Sequence, residues 1–263
     1  MTGLSRHLRL GLLVLLPIIG IACAQTEPTA TLALLPTPTF TPTREPTRTP
    51  TPILTSLSTP TRDHLPGMML AQPDIESEYP GLSLDFDNSG YQDNEASADE
   101  TIDPDDTASD LAARGRLDGY VLEFSNPQAI IEAETEGGRI FGVGTSVDLF
   151  DTEEAATAFF RRDIEDVRNS EGVAFEGATL EEVQELIAPD VGADVIAMRF
   201  IVSIFGFENK IWTTSVRWVK GPLVATVGVR SFDDEDQSGA VERLTLRMDQ
   251  RIDDVLAGGI SVP

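Results

Sequence analysis

The chain has 263 residues, with 44 acidic against 19 basic side chains and a formal net charge of -25. So few bases cannot line a cationic groove, which excludes a nucleic-acid binder. With 2 His and 1 Cys there is no disulfide scaffold, no Cys/His zinc site and little material for His-based acid–base chemistry.

Length alone allows one or two domains of about 100–200 residues each, and the first 62 residues belong to neither. Arg6, His7 and Arg9 precede an apolar run from Leu10 to Ile21. That run is shorter than the roughly 20 residues of a spanning helix and is interrupted by Pro17, so residues 1–24 read as an export signal. It ends in Gly20-Ile21-Ala22-Cys23, which resembles the lipobox of bacterial lipoprotein signal peptides. The resemblance implies that Cys23 becomes the lipid-modified first residue of a protein held on the extracytoplasmic face of the cell membrane. Ala22-Cys23-Ala24 is also an A-x-A pattern, so cleavage after Ala24 with free secretion is the alternative.

Residues 25–62 form a linker. Between Thr26 and Arg62 there are 13 Thr and 8 Pro in 37 residues. Pro removes backbone donors and fixes φ, which makes this a disordered, extended spacer reaching up to about 110 Å at ~3.1 Å per residue. Such a composition also suits an O-glycosylated stalk; an unmodified linker has the same sequence.

Residues 63–110 carry 14 acidic side chains and no Lys or Arg. Within the acidic segment 63–114, Asp103 before Pro104 predicts a helix start and Gly115 a stop, giving a short helix from Pro104 to Arg114. The rest of 63–102 reads as loop.

Beyond it, residues 115–263 form one α+β domain. Tyr120, Leu122 and Phe124 alternate with less apolar neighbours, as do Phe141, Val143, Thr145, Val147 and Leu149, which predicts two strands. Residues 152–169 switch to a 3.6-residue period through Ala156, Phe160, Ile164 and Val167, with Asp151 and Glu154 placed as a capping box. Thr179-Leu180-Glu181-Glu182 has the same signature and predicts a second helix carrying Leu180, Val183 and Ile187, stopped by Pro189. Three strands follow at Val195–Phe205, Lys210–Val219 and Leu223–Ser231, the last two joined at Lys220-Gly221-Pro222. A helix from Gly239 to Ala257, striped by Val241, Leu244, Met248, Ile252 and Leu256, closes the chain at Gly258-Gly259. The expected order is ββααβββα: an antiparallel sheet of about five strands packed by helices.

Three stretches resemble a group of uncharacterised bacterial surface lipoproteins: Gly115-Arg116-Leu117-Asp118-Gly119-Tyr120; Ser146-Val147-Asp148-Leu149-Phe150; and Val216-Arg217-Trp218 through Val224-Ala225-Thr226-Val227. The topology is also similar to PsbP-like domains and to the sensor domains of some bacterial surface kinases. The resemblance implies a fold and carries no active site.

Chemistry is sparse. His64 is the sole His of the exported part, at the linker junction, and Lys210 and Lys220 flank one strand at positions that read as exposed. Asp85, Asp87, Ser89 and Asp93 stand at positions 1, 3, 5 and 9 of a calcium-type loop with Gly90 at position 6 and the Tyr91 carbonyl next. Position 12, where a bidentate acid belongs, is Ala96, and the plainer reading of the same residues is an acidic loop with an ordinary turn through Asn88 to Gly90. Asp233-Asp234-Glu235-Asp236 reads as acids favoured near a helix N-terminus. Trp212 and Trp218, at the same parity of one strand, read as core, and Gly142 and Gly144 as the seat of a closely packed helix.

The expectation is a membrane-tethered, extracytoplasmic binding or accessory domain with no catalytic residue and no cofactor beyond calcium. Its partners are the membrane, through the lipid on Cys23, and a protein or cell-wall component, with no nucleic acid. Two alternatives are an extracellular calcium-binding module and a carboxylate-dependent hydrolase.

Overall fold

The computed structural model describes residues 59–99, 107–126, 140–175, 178–205 and 210–258. The export signal, Cys23, most of the linker, Asp103 and Pro104 lie outside them. In chain order the elements are α1 (Leu65–Met68), α2 (Gln72–Glu76), β1 (Ser83–Leu84), β2 (Gly90–Gln92), α3 (Asn94–Ala98), α4 (Ala108–Ala113), β3 (Arg116–Ser125) and β4 (Ile140–Phe150). They continue with α5 (Glu153–Asn169), β5 (Ala174–Phe175), β6 (Ala178–Leu186), β7 (Val195–Ile204), β8 (Ile211–Lys220), β9 (Leu223–Ser231) and α6 (Ser238–Leu256).

The α+β expectation holds, with more strands than the sequence disclosed. Nine strands among the described residues form one antiparallel sheet in the order β1-β3-β4-β9-β8-β7-β6-β5, with β2 also pairing β3. Helix α6 and the short helices α1 and α2 cover one face. There Val241, Leu244, Met248 and Ile252 meet Val143, Val147, Val216, Trp218, Ala225 and Val227. Helix α5 covers part of the other face, burying Ala156, Phe160, Ile164 and Val167 against Val224, Val219, Ile196, Met198 and Leu180.

The second predicted helix is strand β6, and the reason is a β-bulge. The register of β6 on β7 runs Leu180↔Val202, then Glu182↔Ile201 and Val183↔Phe200. The extra residue puts Leu180 and Val183 on the same face, so a strand reproduces the i, i+3 spacing of a helix. Ile187, counted in the helical stripe, is 98% exposed in the loop beyond.

Two helix starts also move. The α5 cap is Thr152, whose hydroxyl accepts from the Ala155 N–H at 3.1 Å, and not Asp151. Helix α4 begins after Thr107, which exchanges capping bonds with Asp110, so it is shorter than the Pro104–Arg114 span.

The described part of 63–102, residues 63–99, is not mainly loop. Leu65, Met68, Met69, Leu70, Ile75, Tyr79 and Leu82 are all buried in the α6-side core. Their helices span only four or five residues, each with Pro in its first turn, too short to display a helical period. Arginines one helical turn apart on α6 clamp this segment. Arg243 and Arg247 donate to the Glu78 carboxylate, and Arg251 donates to Asp74 at 2.8 Å.

Candidate functional site

On the α5 side of the sheet, the β4–β9–β8 ladders place Ser146, Thr226 and Arg217 in one cross-strand row. Gly144, Gly228 and Ser215 form the next. No residue of these two rows offers an apolar side chain to α5, and Ser146, Gly144, Thr226, Gly228 and Ser215 all keep part of their surface exposed. A Cβ on Gly228 would meet, among the described residues, only the Ser215 Cβ at 3.7 Å. The result is a floor of hydroxyls and backbone about 10 Å by 7 Å, from strand spacings of about 4.8 Å and two-residue rises of about 6.8 Å.

Charged side chains stand at the floor's ends and on its α5 flank, each paired with its opposite, and along its sides lie Val121, the register partner of Ser146, and Ile196 and Met198, the partners of Arg217 and Ser215. At one end Glu123 of β3 and Arg230 of β9 form an ion pair that lies over β4. A Cβ on Gly144 would stand 2.6 Å from Glu123 Oε1, and one on Gly142 3.1 Å from Arg230 Nη2. Those glycines therefore seat an ion pair and not the helix expected from the sequence. Burial raises the Glu123 carboxyl above its ordinary value, with Arg230 opposing the shift.

At the other end Arg116, only 1% exposed, donates Nε to Asp148 Oδ1 at 3.0 Å and Nη2 to the same oxygen at 2.7 Å. Its remaining donors reach Asn94 Oδ1 at 2.9 Å and the Gln92 carbonyl at 3.1 Å. A bulge at Leu117 turns Arg116 to this face. On the α5 flank Arg217 pairs with Asp163 and lies 5.7 Å from the Phe159 ring. Burial lowers the Arg217 pKa, with Asp148 opposing. The Nε of Arg217 and the Oγ1 of Thr226, directly across β8 and β9 from each other, are both buried and without a hydrogen-bond partner among the described residues.

The calcium-loop residues have other duties. Asp85 accepts from the Asp87 N–H at 3.1 Å and Asn88 Nδ2 at 2.8 Å, and Ser89 accepts from the Glu123 N–H at 3.0 Å. Asp93 caps α3 through the Glu95 and Ala96 N–H groups. No three His, Cys, Asp or Glu side chains gather as a metal set among the described residues.

His64 Nδ1 accepts from the Thr61 N–H at 3.1 Å in the first turn of the described chain. Trp218 is fully buried, its Nε1 donating to Asp249 at 3.1 Å. Trp212 is only partly buried, with the Arg199 guanidinium 4.4 Å from its ring centre, so the shared core reading holds for one tryptophan of the two. Lys220 is 19% exposed and bridges Asp249 and Asp253, where the sequence read an exposed lysine. Asp236 accepts from the Ser238 N–H at 2.9 Å at the start of α6, the duty expected of that cluster. The polar floor itself escaped the sequence reading, because its signal is a coincidence of register among three strands.

No family model matches the chain, and no curated protein matches it. Among solved structures it superposes on the extracellular domain of PknH from Mycobacterium tuberculosis. The TM-score is 0.50 at 14% sequence identity, over 74% of this chain and 97% of that one. The likeness is one of fold. It agrees in kind with the surface-kinase domains that the sequence resembles. No helix of the described residues is long and apolar enough to cross a membrane.

Proposed function

We propose that the chain is a non-catalytic binding or accessory domain held on the extracytoplasmic face of a bacterial membrane. Acylated Cys23 is the anchor, residues 25–62 the spacer, and the floor around Ser146, Thr226, Gly228 and Ser215 the ligand site. The observation that carries this reading is the fold shared with an extracellular domain across 97% of that domain's length. The export signal and lipobox-like Gly20-Ile21-Ala22-Cys23 point to the same compartment, and two or more acyl chains on Cys23 anchor stably where one is marginal.

A binding role is favoured over catalysis by the state of the side chains around the floor. Arg116, Arg230 and Arg217 each face a carboxylate, and the described His64 is engaged with Thr61. No nucleophile there stands beside a free base.

Metabolic labelling with a radioactive fatty acid, followed by fractionation, tests the proposal. The wild type is expected to carry label in the membrane fraction and to be cut by protease added to spheroplasts, and Cys23→Ala to lose the label. An unlabelled, soluble wild type would overturn the anchor in favour of cleavage after Ala24. Resistance to external protease would overturn the compartment.

A further inference from the structure

We infer that the polar floor takes a neutral, hydroxyl-rich ligand: a saccharide of one or two rings. The inference deepens the binding-domain reading and rests on it. Three features of the site select this class over an ion or an apolar molecule.

The first is charge balance. Three cations and three anions border the floor, in the pairs Arg116–Asp148, Arg217–Asp163 and Glu123–Arg230. An anion or a cation added between them would be uncompensated, and an anion would also approach a chain of net charge -25. A neutral ligand meets no such penalty. Arg116 is buried, but the partly exposed Arg217, Asp163, Arg230 and Glu123 still offer lone pairs and N–H donors to hydroxyls, which both donate and accept.

The second is the floor's own chemistry. Ser146 and Ser215 present hydroxyls, and Gly144 and Gly228 present backbone without side chains. An apolar ligand would bury these groups unsatisfied. A polyol satisfies them, and the floor's extent accommodates one or two pyranose rings.

The third is an apolar ring at the floor's edge. The Phe159 ring, partly exposed beside Arg217, offers an apolar surface to the C–H face of a sugar.

The test is titration of the full chain with glucose, N-acetylglucosamine and maltose at millimolar concentration, with acetate and phosphate as charged controls. Amide resonances and the melting temperature are the readouts. At least one sugar is expected to shift the amides of Ser146, Ser215 and Gly228 and to raise the melting temperature. Gly228→Val fills open space and is expected to fold normally and to abolish the shifts. Ser215→Ala, which removes one floor hydroxyl, is expected to weaken binding roughly tenfold. Shifts at the floor with acetate or phosphate and none with the sugars would overturn the saccharide class and leave the ligand site standing. Silence of the floor toward every probe would overturn the ligand site itself.

Discussion

Glu123 and Arg230 belong to strands that do not touch, β3 and β9, and they meet across β4 because Gly144 and Gly142 leave its surface bare. The ion pair thus depends on two missing side chains, and the dependence is directional. Gly144→Ala would put a Cβ 2.6 Å from Glu123 Oε1, closer than such atoms pack, so the buried carboxylate must shift where it meets its guanidinium. A loss of about 1–3 kcal/mol is expected. Gly228→Ala, two strand positions from the pair on the same face, meets only the Ser215 Cβ at 3.7 Å and should stay within about 0.5 kcal/mol of wild type. Urea denaturation of the two variants checks the contrast, and equal losses would show that sheet glycines are interchangeable here.

The same pair sets a pH dependence. The folded-state pKa of Glu123 lies above its ordinary value of 4.5, because burial disfavours the carboxylate more than Arg230 favours it. A raised folded pKa means that the folded state binds the proton more tightly than the unfolded one. The associated stability is therefore complete below about pH 4.5 and is lost as pH rises through the folded value. Glu123→Gln keeps a neutral acceptor for Arg230 at every pH. The melting temperature of the wild type relative to this variant is expected to fall as pH climbs from 4 toward neutrality, measured by calorimetry at matched ionic strength. A constant difference across that window would show that Glu123 does not titrate with a raised pKa.

What the sequence disclosed and what it hid divide along the range of the interactions. Helices α5 and α6 carry long 3.6-residue stripes, and β3, β4, β7, β8 and β9 each hold a run of alternating residues, so each is specified largely by its own residues. Strand β6 was hidden because its bulge makes Leu180 and Val183 copy a helical spacing, and α1 and α2 because one turn cannot establish a period. The floor was hidden for a further reason. Arg116, Asp148, Arg217, Glu123 and Arg230 span more than a hundred positions and meet only through strand order, β3-β4-β9-β8, which local pattern does not fix. Arg116 and Arg217 were visible in the quoted motifs, but their inward orientation follows from a bulge and from burial that only the assembled sheet reveals.

Arg116 supplies a sharper test of that assembly. It is 1% exposed, its partner Asp148 is 7% exposed, and the two are joined by charge-assisted bonds at 2.7 and 3.0 Å. Arg116→Met leaves Asp148 buried without its counter-charge and should destabilise by about 3–5 kcal/mol. Adding Asp148→Asn removes that orphaned charge, so the double variant is expected to be more stable than Arg116→Met alone. Chemical denaturation of the cycle gives the coupling directly. A double variant as unstable as the sum of the singles would assign the cost to lost packing of the arginine stem.

The last relationship concerns the segment ahead of the long strands. Leu65, Met68, Met69, Leu70, Ile75, Tyr79 and Leu82 fill the core under α6, and Arg243, Arg247 and Arg251 grip Glu78 and Asp74 from above. At about 1.5 kcal/mol or more per buried apolar side chain, these seven contribute on the order of 10 kcal/mol, comparable with the whole 5–15 kcal/mol stability of a domain. A chain of residues 59–263 is therefore expected to melt cooperatively, whereas 83–263 should give a broad transition and bind a hydrophobic dye. Arg247→Ala, which loses a partly exposed ion pair, should cost only about 1 kcal/mol. The clamp also weakens in acid. The hydrogen bond from Arg243 holds the Glu78 carboxyl below its ordinary 4.5, so its contribution is present above that value and is lost as pH falls through the lowered one. Limited proteolysis across pH 3 to 7 should show cleavage between residues 62 and 82 appearing first at the acid end. Cleavage independent of pH would assign the docking of this segment to its apolar contacts alone.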